Sequence, residues 1–376
     1  MRKGVSIPML DFYMPVKVVS GKGAVVKNAA LLRELGRRCL IVTGGSSARL
    51  SGALDDAKTA LEQEGVAFEV FDKIGPNPLL SACREAGEAA RGCGAEFILG
   101  IGGGSPLDAA KAVAIYAANE DLAPADIYKR VYNNKPLPLA LIGTTAGTGS
   151  EVTAVSVLTD DATGRKKSIS GPDCYAALAL ADAKYTRTMP YDVTVSTALD
   201  AFSHIAEAWF TPNCRGITTV LAREGLRLLW PAMKRLLEEK TLPDEPGRDR
   251  LYFGSLYAGL VINTCGTGFP HPLGYVLTEN YGVPHGKACA AFLPAYLERA
   301  KKHEPRLLEE FLGVLGEEYA AVAAAVNALT ALPRVGMTPE QAAGFAARWQ
   351  KEPPKNFATS PGGLTALEAA DILAGI

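Results

Sequence analysis

Asp200, His204, His271 and His285 are the side chains here whose types could grip a metal ion, in a chain that holds only 4 histidines. Asp200 and His204 lie in ALDAFSHIAEAWF, where i, i+4 spacing predicts a helix with both groups on one face, one turn apart. His271 and His285 follow in HPLGYVLTENYGVPHG, each beside a proline in a Pro- and Gly-punctuated segment of the kind that ends or bends a helix. One carboxylate with three imidazoles suits a divalent first-row metal such as iron or zinc. An open coordination position would make that ion a Lewis acid. Taken alone, a helical Asp-x-x-x-His pair is more often a surface or capping pair, and the two later histidines add only modestly by spacing. His303, in KKHEP, falls at an expected helix end where the dipole favours an imidazolium, and it is left out of the set.

A second constellation concerns phosphate. An apolar run leads into GIGGGSPLDAAKAVA, where Gly102, Gly103 and Gly104 would let backbone amides approach a ligand and the following helix start offers free N–H groups. Ser105 and Asp108 also read as a capping box with Pro106 at the first helical position. Capping needs no run of three glycines, so a pyrophosphate loop is the favoured reading. The next run leads into GTTAGTGSEVT, in which Thr144, Thr145 and Thr148 supply hydroxyls suited to lining a nucleotide. An ordinary Gly/Thr turn is the alternative.

The end of the first strand-like run, IVTGGSSARLSG, bears on the cofactor. An acidic residue near such a strand end usually accepts from the ribose 2'-OH of NAD. Here Gly44, Gly45, Ser46, Ser47 and Arg49 are small, polar or cationic, which leans towards NADP; a turn with a solvated arginine is the alternative.

These residues need a scaffold of two kinds. The runs 39–43, 67–71, 96–101 and 139–143 read as strands and 46–63, 79–92 and 106–118 as helices, a βα alternation that predicts a mostly parallel sheet. VTAVSVLT followed by KKSISG predicts a hairpin, on which only one of Lys166 and Lys167 can face inward. Beyond TRTMP, residues 194–211, 217–239, 247–262, 289–302 and 305–331 have helical period, with breaks at Pro212, Pro243, Pro246 and Pro333. The expected architecture is therefore an α/β Rossmann-like domain over 1–183 and an all-α domain over 184–376.

Composition narrows the partners. A net charge of -1 without a basic block gives no footprint for nucleic acid. No run reaches the length of a membrane span, and Asp11 and two prolines interrupt the opening MRKGVSIPMLDFYMP where a leader would be apolar. The 7 cysteines, without a CxxC pair, fit a reduced compartment; Cys39, Cys93 and Cys265 read as structural. A cytoplasmic enzyme with a small-molecule substrate is expected, as a homo-oligomer, a dimer.

Taken in order, VKVVSGKGA, PNP at 76–78, GGGSPLDAAKA, GTTAGTGSEVT, LDAFSHIAEAW and HPLGYVLTENYGVPHGKACA give a chain that resembles the iron-containing (group III) alcohol dehydrogenases. The resemblance implies a dehydroquinate synthase-like fold, NAD(P) on the first domain, and Fe2+, with Zn2+ as the alternative, held by Asp200, His204, His271 and His285. It further implies nucleotide contacts from Asn77, the triglycine turn with Ser105, Thr144, Thr145 and Thr148. Lys167 is similar to a lysine near the ribose, although Lys166 would match after a one-residue slip. Gly44 stands where members that prefer NAD often carry Asp. Tyr275 stands where some members carry a second histidine proposed as a proton relay, so a phenol or solvent would take that part. The implied reaction is hydride transfer between nicotinamide and an alcohol or carbonyl. The neighbours Ala201, Phe202, Ile205, Phe269 and Leu273 are apolar and suggest an aliphatic or aromatic substrate. A glycerol dehydrogenase or maleylacetate reductase type of enzyme, and a non-catalytic nucleotide-binding protein, are the rivals.

Overall fold

The computed structural model describes residues 12–332 and 335–376. The interrupted leader-like opening up to Asp11 and the break expected at Pro333 lie outside the described residues.

The alternating runs of the first half fold as expected. The strands β1 (Lys17–Ser20), β2 (Arg38–Gly44), β3 (Ala67–Ile74), β4 (Phe97–Gly102) and β5 (Leu139–Gly143) belong to one sheet, the hairpin β6 (Val155–Thr159) and β7 (Lys166–Ser170) stands apart, and β8 (Leu178–Ala181) returns to the sheet. Its order is β1-β8-β5-β4-β2-β3, and the strands pair in parallel. β4 and β5 are apolar throughout and buried along their length, as strands covered on both faces must be. One face carries α1 (Ala24–Lys27), α2 (Ala29–Arg33) and α4 (Ala53–Gln63) through Val25, Leu32 and Ala57. The other carries α5 (Leu80–Gly92) and α6 (Gly104–Ala118) through Cys83, Ala86, Ala110 and Val113. The helix expected over 46–63 is divided into α3 (Ser47–Leu50) and α4, because Gly52 between them is left-handed at φ 78.

The second half is helical: α7 (Tyr191–Trp209), α8 (Ile217–Glu239), α9 (Glu245–Cys265), α10 (Pro270–Tyr281), α11 (His285–Ala290), α12 (Leu293–His303), α13 (Pro305–Leu315), α14 (Tyr319–Thr330), α15 (Pro339–Lys351), α16 (Lys355–Thr359) and α17 (Ala366–Ala374). α7 runs through the middle, and its Phe202 ring lies 5.5 Å from Trp230 on α8 and 6.2 Å from Phe311 on α13. The long helix expected over 305–331 is broken at Gly316, which takes φ 66 at the end of α13. Among the described residues no single helix is long and apolar enough to cross a membrane.

Three contacts seat the halves on each other. The Ala154 N–H donates to Asn263 Oδ1 on α9 at 2.8 Å, and the Lys166 N–H donates to Glu279 Oε1 on α10 at 3.1 Å. Gly149, left-handed at φ 57, lies against Gly259 so closely that a Cβ on Gly259 would come 2.5 Å from the Gly149 carbonyl oxygen. The Thr/Gly loop thus rests on α9 with no room for a side chain.

Candidate active site

Three helices bring the four expected ligands together. Asp200 and His204 share a face of α7 as their spacing required. His271 lies in the first turn of α10, behind Pro270 at the helix start, and His285 opens α11 directly after Pro284. The prolines thus begin these helices, where a missing N–H costs nothing, and do not end or bend one. The Nε2 atoms of His204, His271 and His285 lie 3.7, 3.9 and 3.8 Å from Asp200 Oδ1. Around a tetrahedral ion with bonds of about 2.1 Å, donors sit about 3.4 Å apart, so small side-chain rotations would close the set.

The electrostatics of the cluster suit a cation. Asp200 Oδ1 and His271 Nε2 are buried without a hydrogen-bond partner, a condition that costs several kcal/mol unless something else satisfies them. Burial outweighs the Asp200 charge and lowers His204 to about 4 and His285 to about 3, leaving both imidazoles neutral near pH 7 with a lone pair to give. Burial pushes Asp200 up, but the three histidines and Lys166 outweigh it and hold the carboxyl below its usual range. One ionised oxygen facing imidazole nitrogens, two of them held neutral, is a donor arrangement suited to a divalent metal.

Behind the ligands stands a carboxylate that the spacing of the four candidates does not single out. Glu207 is fully buried on α7 and accepts from His271 Nδ1 at 2.7 Å and from the Gly268 N–H at 2.9 Å. A carboxylate on the far ring nitrogen fixes the tautomer and turns the Nε2 lone pair inward. Burial would make His271 less basic, yet the charge and hydrogen bond of Glu207 outweigh it and raise its pKa. Glu207→Gln is expected to weaken metal binding at least about tenfold while the protein stays folded. Competition against a chromogenic chelator checks this, and unchanged affinity would show that Glu207 does not orient the ring.

Tyr275 stacks on His285 with ring centroids 5.5 Å apart, and Lys166 Nζ lies 5.6 Å over the Tyr275 ring. Burial raises the phenol pKa, so Tyr275 holds its proton and can donate it in a hydrogen bond. Lys167 turns the other way, to Asp160 Oδ2 at 3.4 Å and over the Tyr128 ring at 5.4 Å. Strand alternation thus presents Lys166 towards Tyr275 and aims Lys167 towards Asp160.

The nucleotide candidates gather at the carboxyl ends of the sheet. From β2 the chain moves out to β3 and then returns to the opposite side of β2 as β4, which makes the β2/β4 crevice a topological switch point, where such sheets bind ligands. Gly44, Ser46 and Ser47 flank it from β2, and Gly102, Gly103, Gly104 and Ser105 from β4. A Cβ on Gly44 would come 3.4 Å from Pro106 Cγ. The Asn77 N–H, in a left-handed residue with φ 54, donates to Ser105 Oγ at 3.2 Å. Thr144 Oγ1 is buried without a partner, and Thr148 Oγ1 accepts from the Ser150 N–H at 3.2 Å.

Two sequence readings need correction, and a third gains a second cause. The capping box is not formed, because α6 starts at Gly104, two residues early, with Gly103 as its cap and no side chain bonding there. Asp108 instead accepts from the Ser150 hydroxyl at 2.5 Å and the Val157 N–H at 2.8 Å, beside the buried Lys111 ammonium, and so ties the Thr/Gly loop and hairpin to α6. The glycine run has a packing reason of its own. A Cβ on Gly103 would meet Thr145 Cγ2 at 3.0 Å, and one on Gly104 would meet Thr148 Cγ2 at 2.7 Å, so the glycines let the two loops close together whether or not phosphate is present. Finally, Ala201, Phe202, Ile205, Phe269 and Leu273 are fully buried in the helical core, and as core residues they do not report on the substrate.

Comparison with known proteins agrees with this geometry. The family model described as iron-containing alcohol dehydrogenase matches residues 15–183, and the one for the C-terminal part of the same family matches 194–343. Alcohol dehydrogenase 4 of Schizosaccharomyces pombe is 29% identical over 80% of this chain and 71% of its own length. Sulfoacetaldehyde reductase of Bilophila wadsworthia is 32% identical over 74% and 73%. Among solved structures, an iron-containing alcohol dehydrogenase from Thermotoga maritima superposes with a TM-score of 0.89 at 32% identity, covering 98% of this chain and 100% of the other. A sulfoacetaldehyde reductase from Bifidobacterium kashiwanohense in complex with NAD+ gives 0.85 at 27%, covering 98% and 99%. With family models covering both halves in order and the expected two-part fold, the chain belongs to the iron-containing alcohol dehydrogenase family.

Proposed function

We propose that this chain interconverts an alcohol and its aldehyde or ketone, with NAD(P) as hydride carrier and one divalent ion, Fe2+ or alternatively Zn2+, held by Asp200, His204, His271 and His285. The observation that carries this is the convergence of three imidazole nitrogens on a buried, unpartnered carboxylate oxygen. When bound, the ion supplies a Lewis acid that lowers the cost of negative charge on the substrate oxygen. Asp200 offsets part of the ion's charge, and Glu207 keeps His271 aimed. Tyr275, still protonated, offers a hydrogen bond to an oxygen beside His285, while Lys166, its pKa lowered by burial, stands next to it. The crevice between β2 and β4 would hold the pyrophosphate, through backbone amides at Gly103, Gly104 and Ser105 and the start of α6.

For the adenosine ribose we favour NADP. Gly44 offers no carboxylate to repel a 2'-phosphate, Ser46 and Ser47 are exposed beside it, and Arg49 stands in the same loop, 3.5 Å from Asp72. The NAD+ complex of the relative weighs the other way. Initial rates are expected to give a kcat/KM for NADPH about tenfold above that for NADH, the worth of one charge-assisted phosphate contact. Equal or better rates with NADH would overturn the preference.

The activity is tested by loading the purified chain with Fe2+ or Zn2+ and following reduced-nicotinamide absorbance across a panel of aldehydes. Turnover with at least one is expected. If metal and cofactor both bind and no aldehyde is reduced, the chain is a nucleotide-binding protein without this chemistry.

A further inference from the structure

The cluster holds one donor beyond the four already named. Cys289 lies one turn along α11 from His285, with its Sγ 3.8 Å from His285 Nε2 and 3.6 Å from Nδ1. One donor atom each from Asp200, His271, His285 and Cys289 lies within 4.8 Å of all the others, while His204 stands on the Asp200 side of this group, its Nε2 3.7 Å from Oδ1. The spacing from sulfur to Nε2 therefore matches that from Asp200 Oδ1 to each imidazole. Two of these donors, Asp200 Oδ1 and His271 Nε2, in residues only 4% and 5% exposed, have no hydrogen-bond partner among the described residues. The sulfur is also backed from behind. Gly274 on α10 faces it, and a Cβ there would come 2.8 Å from Sγ, so the one residue opposite the thiol is the one that leaves it room.

We propose that Cys289 is a further donor to the ion, turning an N3O site into an N3OS site. This rests on the metal-centre reading above and extends it. As the sulfur–metal bond forms, the S–H proton is released to solvent and nothing is oxidised or reduced. The charge of a divalent ion with its ligands falls from one positive with Asp200 alone to zero with the thiolate added. A soft donor also shifts selectivity towards zinc and cobalt and away from manganese and magnesium, which prefer oxygen. A cysteine that only packs as a small apolar side chain predicts neither effect.

The test uses the full chain stripped with a chelator and reloaded with one equivalent of Co2+. Wild type is expected to show visible d–d bands together with a near-ultraviolet sulfur-to-cobalt charge-transfer band. Cys289→Ser and Cys289→Ala should keep the d–d bands, which report an intact cluster, and lose the charge-transfer band. The other cysteines are unchanged in these variants and serve as the internal control. X-ray absorption of the zinc-loaded wild type should require one sulfur at about 2.3 Å besides nitrogen and oxygen at about 2.0–2.1 Å, and it decides the question even if both variants fold poorly. Cobalt d–d bands without the charge-transfer band, or zinc fitted by nitrogen and oxygen alone, would overturn the role of Cys289 and leave the four-ligand site standing. Failure of either ion to bind would overturn both.

Discussion

His285→Ala is expected to leave a folded protein that binds no metal in stoichiometric amount and turns over about a thousandfold more slowly, since a Lewis acid contributes on the order of 4 kcal/mol to such a barrier. His285 is the ligand to change first. Its side chain is 30% exposed and among the described residues its ring nitrogens meet no hydrogen-bond partner except the Cys289 thiol, so alanine strands no buried polar group there. His271→Ala removes the same donor count but also leaves the Glu207 carboxylate without its imidazole, so activity loss there carries an added loss of stability. Metal analysis, far-ultraviolet circular dichroism and kcat measured together separate the two. Full turnover without bound metal in either variant would end the metal-centre reading.

Gly286→Ala should have the largest effect on the fold near the site. A Cβ at 286 would sit on the Ser196 carbonyl oxygen of α7 and come 2.9 Å from Asp200 Cβ. Neither can move cheaply: the first is helix backbone, the second the root of a ligand. We expect a loss of about 3 kcal/mol in unfolding free energy, the upper range for overpacking, with metal affinity falling as α11 is pushed from α7. Gly313→Ala is the control, because a Cβ there meets nothing within 4 Å and a helical alanine gains up to about 1 kcal/mol. Denaturant midpoints for the two variants check the contrast, and a Gly286→Ala protein as stable as the control would show that α11 can slide.

How much of this could be read from the sequence depended on whether the signal was local. The parallel strands were legible because FILGIG and LALIG are apolar throughout, and Asp200 with His204 because i, i+4 fixes a helix face whatever surrounds it. The same reasoning was available and unused elsewhere. Glu207 is at i+7 from Asp200 and so on the same face, and Cys289 stands to His285 as His204 does to Asp200. Thr338 and Thr365 each precede a capping partner three residues on, Gln341 and Glu368, and both boxes form at the starts of α15 and α17, helices that periodicity alone did not single out. What local pattern could not supply was tertiary. Which of Lys166 and Lys167 faces the histidines is set by hairpin register, and the reason for Gly103 and Gly104 lies in Thr145 and Thr148 of the next loop. The apolar neighbours of the ligands were taken for lining when they pack the helical core, since adjacency in sequence on a helix points side chains in different directions.

All the proposed metal donors, and Glu207 behind them, come from α7, α10 and α11, and none from the sheet. The proposed chelate would therefore be complete within one half of the molecule and would assemble before any nucleotide arrives. Exchange of one metal for another need not disturb the dinucleotide half, and the two inventories, ion and coenzyme, can drift independently in evolution so long as the Asn263 and Glu279 clasps keep their spacing.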